Sequence, residues 1–244
     1  LAKRKDGKES ALFGTGNLNE KTAKVYTDYF LMTSNRLLTA ELSLLFEFLP
    51  SRKKPDKPTD LPFQQLLIAQ FNLKQSFVTL IDETIAQVKM GIAASIKIKL
   101  NNLEEESLIN KLYEASRAGV KVQLLVRGIC RLKPQVKELS ENIEIKRIVG
   151  RYLEHGRIFI FQYRAHTKVY LGSSDWMNRN IYRRIETCFP IMAPTLANRI
   201  QQLFEIQFAD DVEATFLNET GQNIPVEHPI GNKSQQQIVD YLNN

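Results

Sequence analysis

Apolar positions near the start of the chain follow the spacing of β-strands. Leu1–Arg4 and Ser10–Phe13 flank an Asp6-Gly7 pair. Asp-Gly tolerates the positive φ angles of a tight turn, so this segment predicts a β-hairpin. A further strand is expected at Lys24–Leu31.

The pattern then becomes helical and is followed by a break in composition. Asn35–Leu49 predicts a helix with Thr33 or Ser34 as its N-cap. Its expected apolar face is formed by Leu37, Leu38, Leu42, Leu45 and Phe46. Pro50–Pro62 is rich in proline and lysine, a composition typical of a domain boundary. We therefore expect a first unit of residues 1–60 and a second unit of residues 61–244.

The second unit alternates strand-length apolar runs with helical periodicity. The pattern predicts strands at Leu66–Ala69, Ile96–Leu100, Val120–Val126, Ile143–Val149, Arg157–Gln162, Lys168–Leu171 and Ile185–Ile191. It predicts helices at Leu73–Met90, Glu104–Arg117 and Thr195–Phe208, and then a polar, less ordered tail. Gly91 and Gly119 stand where helix C-caps belong. Strands separated by helices favour an α/β fold with a parallel or mixed sheet covered on both faces.

Composition narrows the class of protein. Lys and Arg number 33 against 27 Asp and Glu, a net charge of +6, and 43% of residues are hydrophobic, as in an ordinary globular protein. No apolar run reaches the 18 residues that a membrane-spanning helix needs. Two cysteines, Cys130 and Cys188, favour reduced thiols in a cytosolic protein. The chain opens at Leu1 without an initiator Met, so we expect it to be a piece of something longer.

Candidate chemistry centres on His155. Arg157 follows it by two positions, a strand comes next, and the turn Gly172-Ser173-Ser174-Asp175 closes that strand. An imidazole can attack phosphorus or donate a proton to a leaving oxygen, because its pKa lies near neutrality. The arginine and the N–H groups of the turn can hold phosphoryl oxygens. Taken alone, each feature is equally typical of an ordinary surface histidine or an ordinary turn without a functional role.

An earlier segment of the chain is similar in sequence to that turn. Gly14-Thr15-Gly16-Asn17 has the same order of glycine, hydroxyl, small and polar residues, which predicts an internal repeat whose first copy is incomplete. Asn17 and Asp175 occupy equivalent positions, and we predict that they orient the histidines of the site.

The other basic candidates are weaker. His166 is expected at a hairpin without a catalytic role, although Lys168 can still point at phosphate, and His228 lies in the polar tail. Arg127 ends a predicted strand, the position at which α/β sheets bind ligands. One of Arg183-Arg184 is expected to pair with Glu186. The histidines and cysteines are too scattered for a zinc site.

Short segments over nearly the whole chain share the pattern and order of one family. They are Gly14-Thr15-Gly16-Asn17, Asn19-Glu20-Lys21-Thr22-Ala23, Tyr26-Thr27-Asp28, Lys99-Leu100-Asn101-Asn102, Tyr113-Glu114-Ala115-Ser116, Val126–Cys130, Ser140–Ile143, Ile148–His155 and Ser173–Met177. In these segments the chain resembles the bacterial polyphosphate kinases. The resemblance implies a phospholipase-D-like mixed sheet flanked by helices, with one partial copy in residues 1–60 and one complete copy in residues 61–244.

The family resemblance also implies an activity and roles for individual residues. These enzymes transfer the γ-phosphate of ATP reversibly to polyphosphate through a phosphohistidine and with Mg²⁺. Tyr26, Arg127 and His155 would contact the nucleotide phosphates, and His155 would give acid–base help. Arg157 and Lys168 are further candidate phosphate ligands. The phosphorylated histidine would belong to a His-x-Lys upstream of Leu1, and the metal ligands would also lie outside this chain, so we expect the isolated chain to be inactive.

The resemblance further implies the partners, the oligomeric state and the location of the protein. Its partners would be ATP or ADP and inorganic polyphosphate, not nucleic acid. We expect a cytoplasmic homo-oligomer. The resemblance alone also suggests peripheral association with the inner membrane face.

Two other functions stay open at this point. A phospholipase-D-type phosphodiesterase or nuclease uses two histidines in similar chemistry, although here the second unit reads His155-Gly156-Arg157 in place of His-x-Lys. A non-catalytic module could instead grip polyanions through a basic surface. Its candidate cations are Lys53, Lys54, Lys97, Lys99, Lys146 and Arg147.

Overall fold

The computed structural model describes residues 1–3, 5, 7–51 and 61–243. Its strands are β1 (Ala2–Lys3), β2 (Glu9–Gly14), β3 (Tyr26–Thr27), β4 (Phe30–Thr33), β5 (Leu67–Ile68), β6 (Ala94–Leu100), β7 (Lys121–Val126), β8 (Ile143–Ile148), β9 (Leu153–Glu154), β10 (Arg157–Tyr163), β11 (His166–Gly172), β12 (Thr187–Pro190), β13 (Ala214–Leu217) and β14 (Asn223–Pro225). Its helices are α1 (Arg36–Phe48), α2 (Leu73–Lys89), α3 (Glu106–Arg117), α4 (Asn178–Arg183), α5 (Pro194–Phe208) and α6 (Ser234–Asn243).

The centre of the molecule is a nine-stranded sheet in the order β14-β13-β8-β7-β6-β10-β11-β12-β5. Strands β6, β7 and β8 are parallel to one another, and the remaining neighbours are antiparallel. The predicted α/β class with a mixed sheet flanked by helices is therefore confirmed.

Both faces of this sheet are covered, and β10 shows how the sequence produces that. Phe159 and Phe161 pack with α2 and α3 on one face, whereas Ile158 and Ile160 pack with α1 and α5 on the other. Successive side chains of a strand point to opposite faces, so an unbroken apolar run needs a hydrophobic layer on each side.

Strand β2 and helix α1 pack on the second hydrophobic layer. Strands β1, β2 and β4 form a small antiparallel sheet, and the β1–β2 hairpin confirms that prediction, with Arg4 and Asp6 outside the described residues. Phe13 stacks on Phe189 at 5.1 Å between ring centroids. The Glu41 carboxylate accepts the backbone N–H groups of Gln64, Gln65 and Leu66 at 2.7–3.1 Å. Most of the predicted boundary segment, residues 52–60, lies outside the described residues.

The prediction of one strand over Lys24–Leu31 is wrong. A 3₁₀ turn at Thr22–Lys24 precedes β3, which pairs in parallel with β9, whereas β4 pairs with β2. The two halves of the segment belong to different sheets, so the chain must bend between them. Asp28 and Tyr29 lie at that bend.

Two predictions about helices also need correction. The N-cap of α1 is Asn35, whose Oδ1 accepts the Leu37 N–H at 2.9 Å, while Thr33 accepts the N–H of Asn35 instead of capping the helix. Leu37 and Phe46, expected on the buried face, are exposed.

The tail predicted to be less ordered contains β13, β14 and α6. Strand β13 pairs with β8, and the buried Asp210 accepts the N–H groups of Val212, Glu213 and Ala214 through Oδ1 and that of Ser234 through Oδ2. These contacts with distant residues order a segment whose own sequence is polar. Within the described part of the chain, no helix combines the length and apolar character needed to cross a bilayer.

Candidate active site

Four loops of the chain meet beside His155. They are the turn after β2, the bend between β3 and β4, the β9–β10 connection and the turn after β11. The carboxyl ends of the parallel strands β6 and β7 contribute Asn101 and Arg127, as expected for a ligand site in an α/β sheet.

The His155 imidazole is held by a carboxylate that the sequence did not single out. Its Nδ1 lies 2.9 Å from Oδ1 and 3.1 Å from Oδ2 of Asp28. A carboxylate accepts hydrogen bonds, so the proton of the neutral ring resides on Nδ1 and the lone pair on Nε2. The Tyr26 ring flanks the imidazole at 4.8 Å between centroids. His155 therefore presents a basic nitrogen from a fixed orientation.

Asp28 is suited to keep its negative charge. Burial acts to raise the pKa of Asp28, but hydrogen bonds from His155 and Thr15 and the nearby Arg157 charge bring that pKa below its ordinary value. The Thr15 hydroxyl donates to Oδ1 of Asp28 at 2.7 Å. The turn after β2 is thus tied directly to the histidine through this carboxylate.

Arg157 is the second fixed charge of the site. Its Nε and Nη2 donate to the two carboxylate oxygens of Asp175 at 3.1 and 3.2 Å, and its Nη1 donates to the carbonyl of Thr15 at 3.0 Å. The same Nη1 lies 3.2 Å from Nε2 of His155. A buried cation therefore stands beside the ring nitrogen that carries the lone pair.

Asp175 was predicted to orient the histidine, and the structure places it differently. It binds Arg157 and accepts the backbone N–H of Asn101 at 2.8 Å, whereas the carboxylate that contacts the imidazole is Asp28. The two partners are 127 positions apart. Spacing along the chain carries no signal for such a pair, and the strand predicted over Lys24–Leu31 concealed the bend that presents Asp28.

A cleft of about 330 Å³ lies beside His155, and some of the remaining candidate residues line it. Asn17, Arg157 and Asp175 line it, together with the exposed Arg179 and Arg184. Arg184 lies 3.8 Å from Glu186, which confirms the expected pairing of one of the two neighbouring arginines. Arg179 had not been singled out.

Arg127 lies at the end of β7 and donates its Nε to Oδ1 of Asn101. Burial lowers the pKa of Arg127, an effect that the nearby Asp175 charge opposes. The Nδ2 of the same Asn101 donates to the His155 carbonyl at 3.2 Å. One asparagine side chain thus connects Arg127 to the backbone of the histidine.

Lys168 does not belong to this arrangement. Its Nζ binds Oε2 of Glu83 on α2 at 2.6 Å, and in the β10–β11 ladder it stands opposite Phe161, whose face packs on α2. The side chain therefore leaves the sheet on the helix-covered face, away from the turn after β11. His166 lies at the β10–β11 hairpin, exposed and beside Tyr163.

Most cations of the proposed polyanion-gripping surface serve internal contacts. Lys99 pairs with Glu154 at 2.6 Å, and Lys97 pairs with Glu205 at 2.5 Å. Lys146 donates to the carbonyls of Phe208 and Asp210, and Arg147 to those of Val126 and Gly128. Lys53 and Lys54 lie outside the described residues. The structure therefore gives little support to a non-catalytic polyanion module.

The residues near His155 do not fit a magnesium site. Among the residues that the structure describes, no group of three or more His, Cys, Asp or Glu side chains could hold a metal ion. Asp28 and Asp175 are each engaged by cationic or N–H donors. Both cysteines are free thiols, as predicted, and burial raises the pKa of Cys130 to about 11.

Comparison with protein families identifies the chain. The family described as polyphosphate kinase C-terminal domain 2 matches residues 66–237, and polyphosphate kinase C-terminal domain 1 matches residues 1–55. The chain belongs to the polyphosphate kinase C-terminal domain family. The predicted family resemblance is confirmed.

Individual relatives agree with this family. Polyphosphate kinase of Escherichia coli K12 is 40% identical over 95% of this chain, and that of Vibrio cholerae is 41% identical over all of it. The chain spans about a third of the length of these polyphosphate kinases, 33% and 35%.

A solved polyphosphate kinase structure shows the same relationship. The crystal structure of the Porphyromonas gingivalis polyphosphate kinase superposes with a TM-score of 0.88 at 38% identity, covering 96% of this chain and 36% of that one. Nuc, a phospholipase D family member from Salmonella typhimurium, aligns with a TM-score of 0.47 at 12% identity, over 63% of this chain and 97% of that one.

Proposed function

We propose that this chain is the nucleotide-phosphate-binding part of a polyphosphate kinase, which transfers the γ-phosphate of ATP reversibly to polyphosphate. The observation that carries the proposal is the arrangement of His155, with Nδ1 on Asp28 and Nε2 beside Arg157 at the edge of an arginine-lined cleft. Family membership supports the reaction class, because the relatives are named polyphosphate kinases.

The site residues suit the demands of phosphoryl transfer, which are mainly positioning and charge neutralisation. In the proposed mechanism, Arg127 binds non-bridging phosphate oxygens through its guanidinium fork, and Tyr26 flanks the same phosphates. Arg157 keeps positive charge beside the reacting oxygens, with its orientation set by Asp175. Arg179 and Arg184 line the cleft together with Arg157 and add to its positive charge.

His155 acts in this mechanism as an acid–base residue. Its Nε2, beside Arg157, accepts the proton of an attacking phosphate oxygen, and the imidazolium so formed is stabilised by Asp28 at Nδ1. The same nitrogen returns that proton to a leaving oxygen in the reverse direction. The phosphohistidine itself is proposed to form on a His-x-Lys that precedes Leu1 in the longer enzyme. Mg²⁺, homo-oligomerisation and peripheral membrane association stay predictions about that longer enzyme.

Labelling with γ-phosphate-labelled ATP tests the role of His155. We expect no acid-labile, alkali-stable phosphoprotein from this chain, and we expect both phosphoprotein and polyphosphate from a chain extended upstream through the His-x-Lys. Label on this chain that disappears in His155→Ala but not in the matched His166→Ala would make His155 the nucleophile and overturn its assigned role. Cleavage of a phosphodiester by the extended chain, without labelling from ATP, would favour the phosphodiesterase alternative.

Calorimetry with ATP tests the binding role on this chain alone. Arg127→Lys keeps the charge but loses the fork, so we expect a Kd increase of about tenfold, equivalent to about 1.4 kcal/mol. His166→Ala, at the β10–β11 hairpin, should leave the Kd unchanged. Equal affinities of wild type and Arg127→Lys would reject the assignment of Arg127.

A further inference from the structure

A two-residue parallel ladder aligns the His155–Asp28 pair. Thr27 of β3 stands opposite Glu154 of β9, and each is followed directly by one member of the pair. The carbonyl of Thr27 accepts the N–H groups of His155 at 3.3 Å and Gly156 at 2.8 Å. The register of this short ladder therefore decides whether Asp28 meets Nδ1 of the imidazole.

Two-residue ladders have little stability of their own, and here a buried carboxylate reinforces the pairing. Oε2 of Glu154 accepts hydrogen bonds from Lys99 Nζ at 2.6 Å, Thr27 Oγ1 at 3.0 Å and Gln207 Nε2 at 2.9 Å. Its Oε1 accepts from Gln235 Nε2 at 2.9 Å. We name these five residues the Glu154 cluster. It joins β3 and β9 to β6, α5 and α6.

The ion pair within the Glu154 cluster is almost fully buried. The side chains of Lys99 and Glu154 are 5% and 6% exposed. Burial acts to raise the pKa of Glu154, but the Lys99 ammonium holds that pKa below its ordinary value. Burial acts to lower the pKa of Lys99, but the Glu154 charge raises it above its ordinary value. The pair is therefore charged at neutral pH.

The cluster does not reach the cleft beside His155. None of its five side chains lines that cleft. Glu154 is nevertheless bonded to His155 through the chain, and its carboxylate binds the residue that precedes Asp28. Its influence on chemistry at His155 must act through the backbone of β3 and β9.

We infer that Lys99 and Glu154 are positioning residues that set the tautomer of His155. Lys99 and the two glutamines fix the Glu154 carboxylate, which fixes the Thr27 hydroxyl and hence the register of β3 against β9. That register places Asp28 on Nδ1 and leaves Nε2 as the basic nitrogen. The catalytic meaning of this tautomer rests on the proposed function, but the geometric claim does not require ATP.

A purely structural role for the ion pair predicts something different. Weakening the cluster would then lower stability without changing the protonation pattern of the imidazole in molecules that stay folded. The tautomer of His155 is therefore the measurement that separates the two roles.

Nitrogen-15 NMR of the imidazole rings provides that measurement. The chain has three histidines, and His166→Gln and His228→Gln variants assign the His155 signals. We compare wild type, Thr27→Val, Thr27→Ser and the double variant Lys99→Met with Glu154→Gln, which removes both charges together. Glu105→Gln is the matched control, because Glu105 is also a buried carboxylate, bonded to Tyr182 and the Leu108 N–H.

Wild type, Thr27→Ser and Glu105→Gln should hold the neutral ring as the Nδ1–H tautomer. In Thr27→Val and the double variant, we expect the ratio of Nε2–H to Nδ1–H forms to rise about tenfold, the change that loss of one hydrogen bond brings. An unchanged ratio in folded Thr27→Val would overturn the inference, whether or not the double variant folds. A shifted ratio in a chain that fails to bind ATP would leave the positioning role intact and reject the proposed function instead.

Discussion

The buried pair of Arg157 and Asp175 allows a quantitative test of the site. Its side chains are 9% and 4% exposed, and two parallel N–H···O bonds of 3.1 and 3.2 Å join them. For unit charges about 4 Å apart at an effective dielectric constant of about 20, the attraction is about 4 kcal/mol. Removing one partner leaves an uncompensated buried charge, at a typical cost of about 3–5 kcal/mol.

A double-mutant cycle measures this coupling. Arg157→Met should lower the free energy of unfolding by about 4 kcal/mol, and Asp175→Asn by about 3 kcal/mol. The double variant should lose about 4 kcal/mol, not the sum, because neither charge is then left without a partner. The coupling energy is thus expected near 3 kcal/mol.

Equilibrium urea unfolding can be followed by the fluorescence of Trp176. This is the one tryptophan of the chain; it is fully buried, adjacent to Asp175 in sequence, and packs on Phe77 and Phe159. Its emission therefore reports on the packing directly beside the ion pair.

The half-exposed pair of Lys168 and Glu83 is the control. Its N–O distance is 2.6 Å, but its side chains are 41% and 40% exposed. The same cycle, Lys168→Met with Glu83→Gln, should give less than about 1 kcal/mol, as surface pairs do. A coupling energy for Arg157 and Asp175 no larger than that of the control would refute the argument from burial.

Three other predictions follow from contacts outside this pair. Glu41→Gln weakens the hydrogen bonds that three backbone N–H groups donate to its carboxylate, so the free energy of unfolding should fall by about 1–2 kcal/mol in urea titrations. Gly172→Ala would place Cβ 2.3 Å from Sγ and 2.9 Å from Cα of Cys188, and thermal melts should show a destabilisation of about 1–3 kcal/mol. The pKa values of Asp28 and Glu154 are lower in the folded chain than their ordinary values of 3.8 and 4.5, so their contribution to stability is complete above those values. Urea titrations should show this contribution disappearing as pH falls below about 4.5, and a stability unchanged between pH 6 and pH 3 would contradict it.

Elements whose burial is local were predictable from the sequence. The alternation of strands and helices indicated a sheet covered on both faces, and hydrophobic layers lie on both sides of β10. The helical spacing in α2 and α3 indicated helices with one buried face, and their bounds differ from the predicted ones by a residue or two. Periodicity records which side of an element is buried, so it suffices wherever burial alone decides the structure.

Contacts between distant polar groups were not predictable in the same way. Asn17 and Asp175 were predicted to orient the histidines because they occupy equivalent turn positions, and Asp28 was not singled out. The structure selects Asp28, because β3 pairs with β9 and places the bend after Thr27 beside the imidazole. Lys168 was a candidate phosphate ligand because it lies close to Gly172 in the sequence, but the strand directs its side chain toward α2.

By itself, then, the sequence determined the alternation of strands and helices, the glycine turns and the presence of basic side chains near His155. The tertiary structure alone decided the buried ion pairs, the order of α6 and which carboxylate meets the imidazole of His155. The physical reason is that the hydrophobic effect is non-directional, so an apolar side chain is stabilised by contact with any apolar neighbour. A buried charge is stabilised only by a specific partner at hydrogen-bonding distance. That partner is chosen by the loops that the folded sheet brings together, here from 127 positions away.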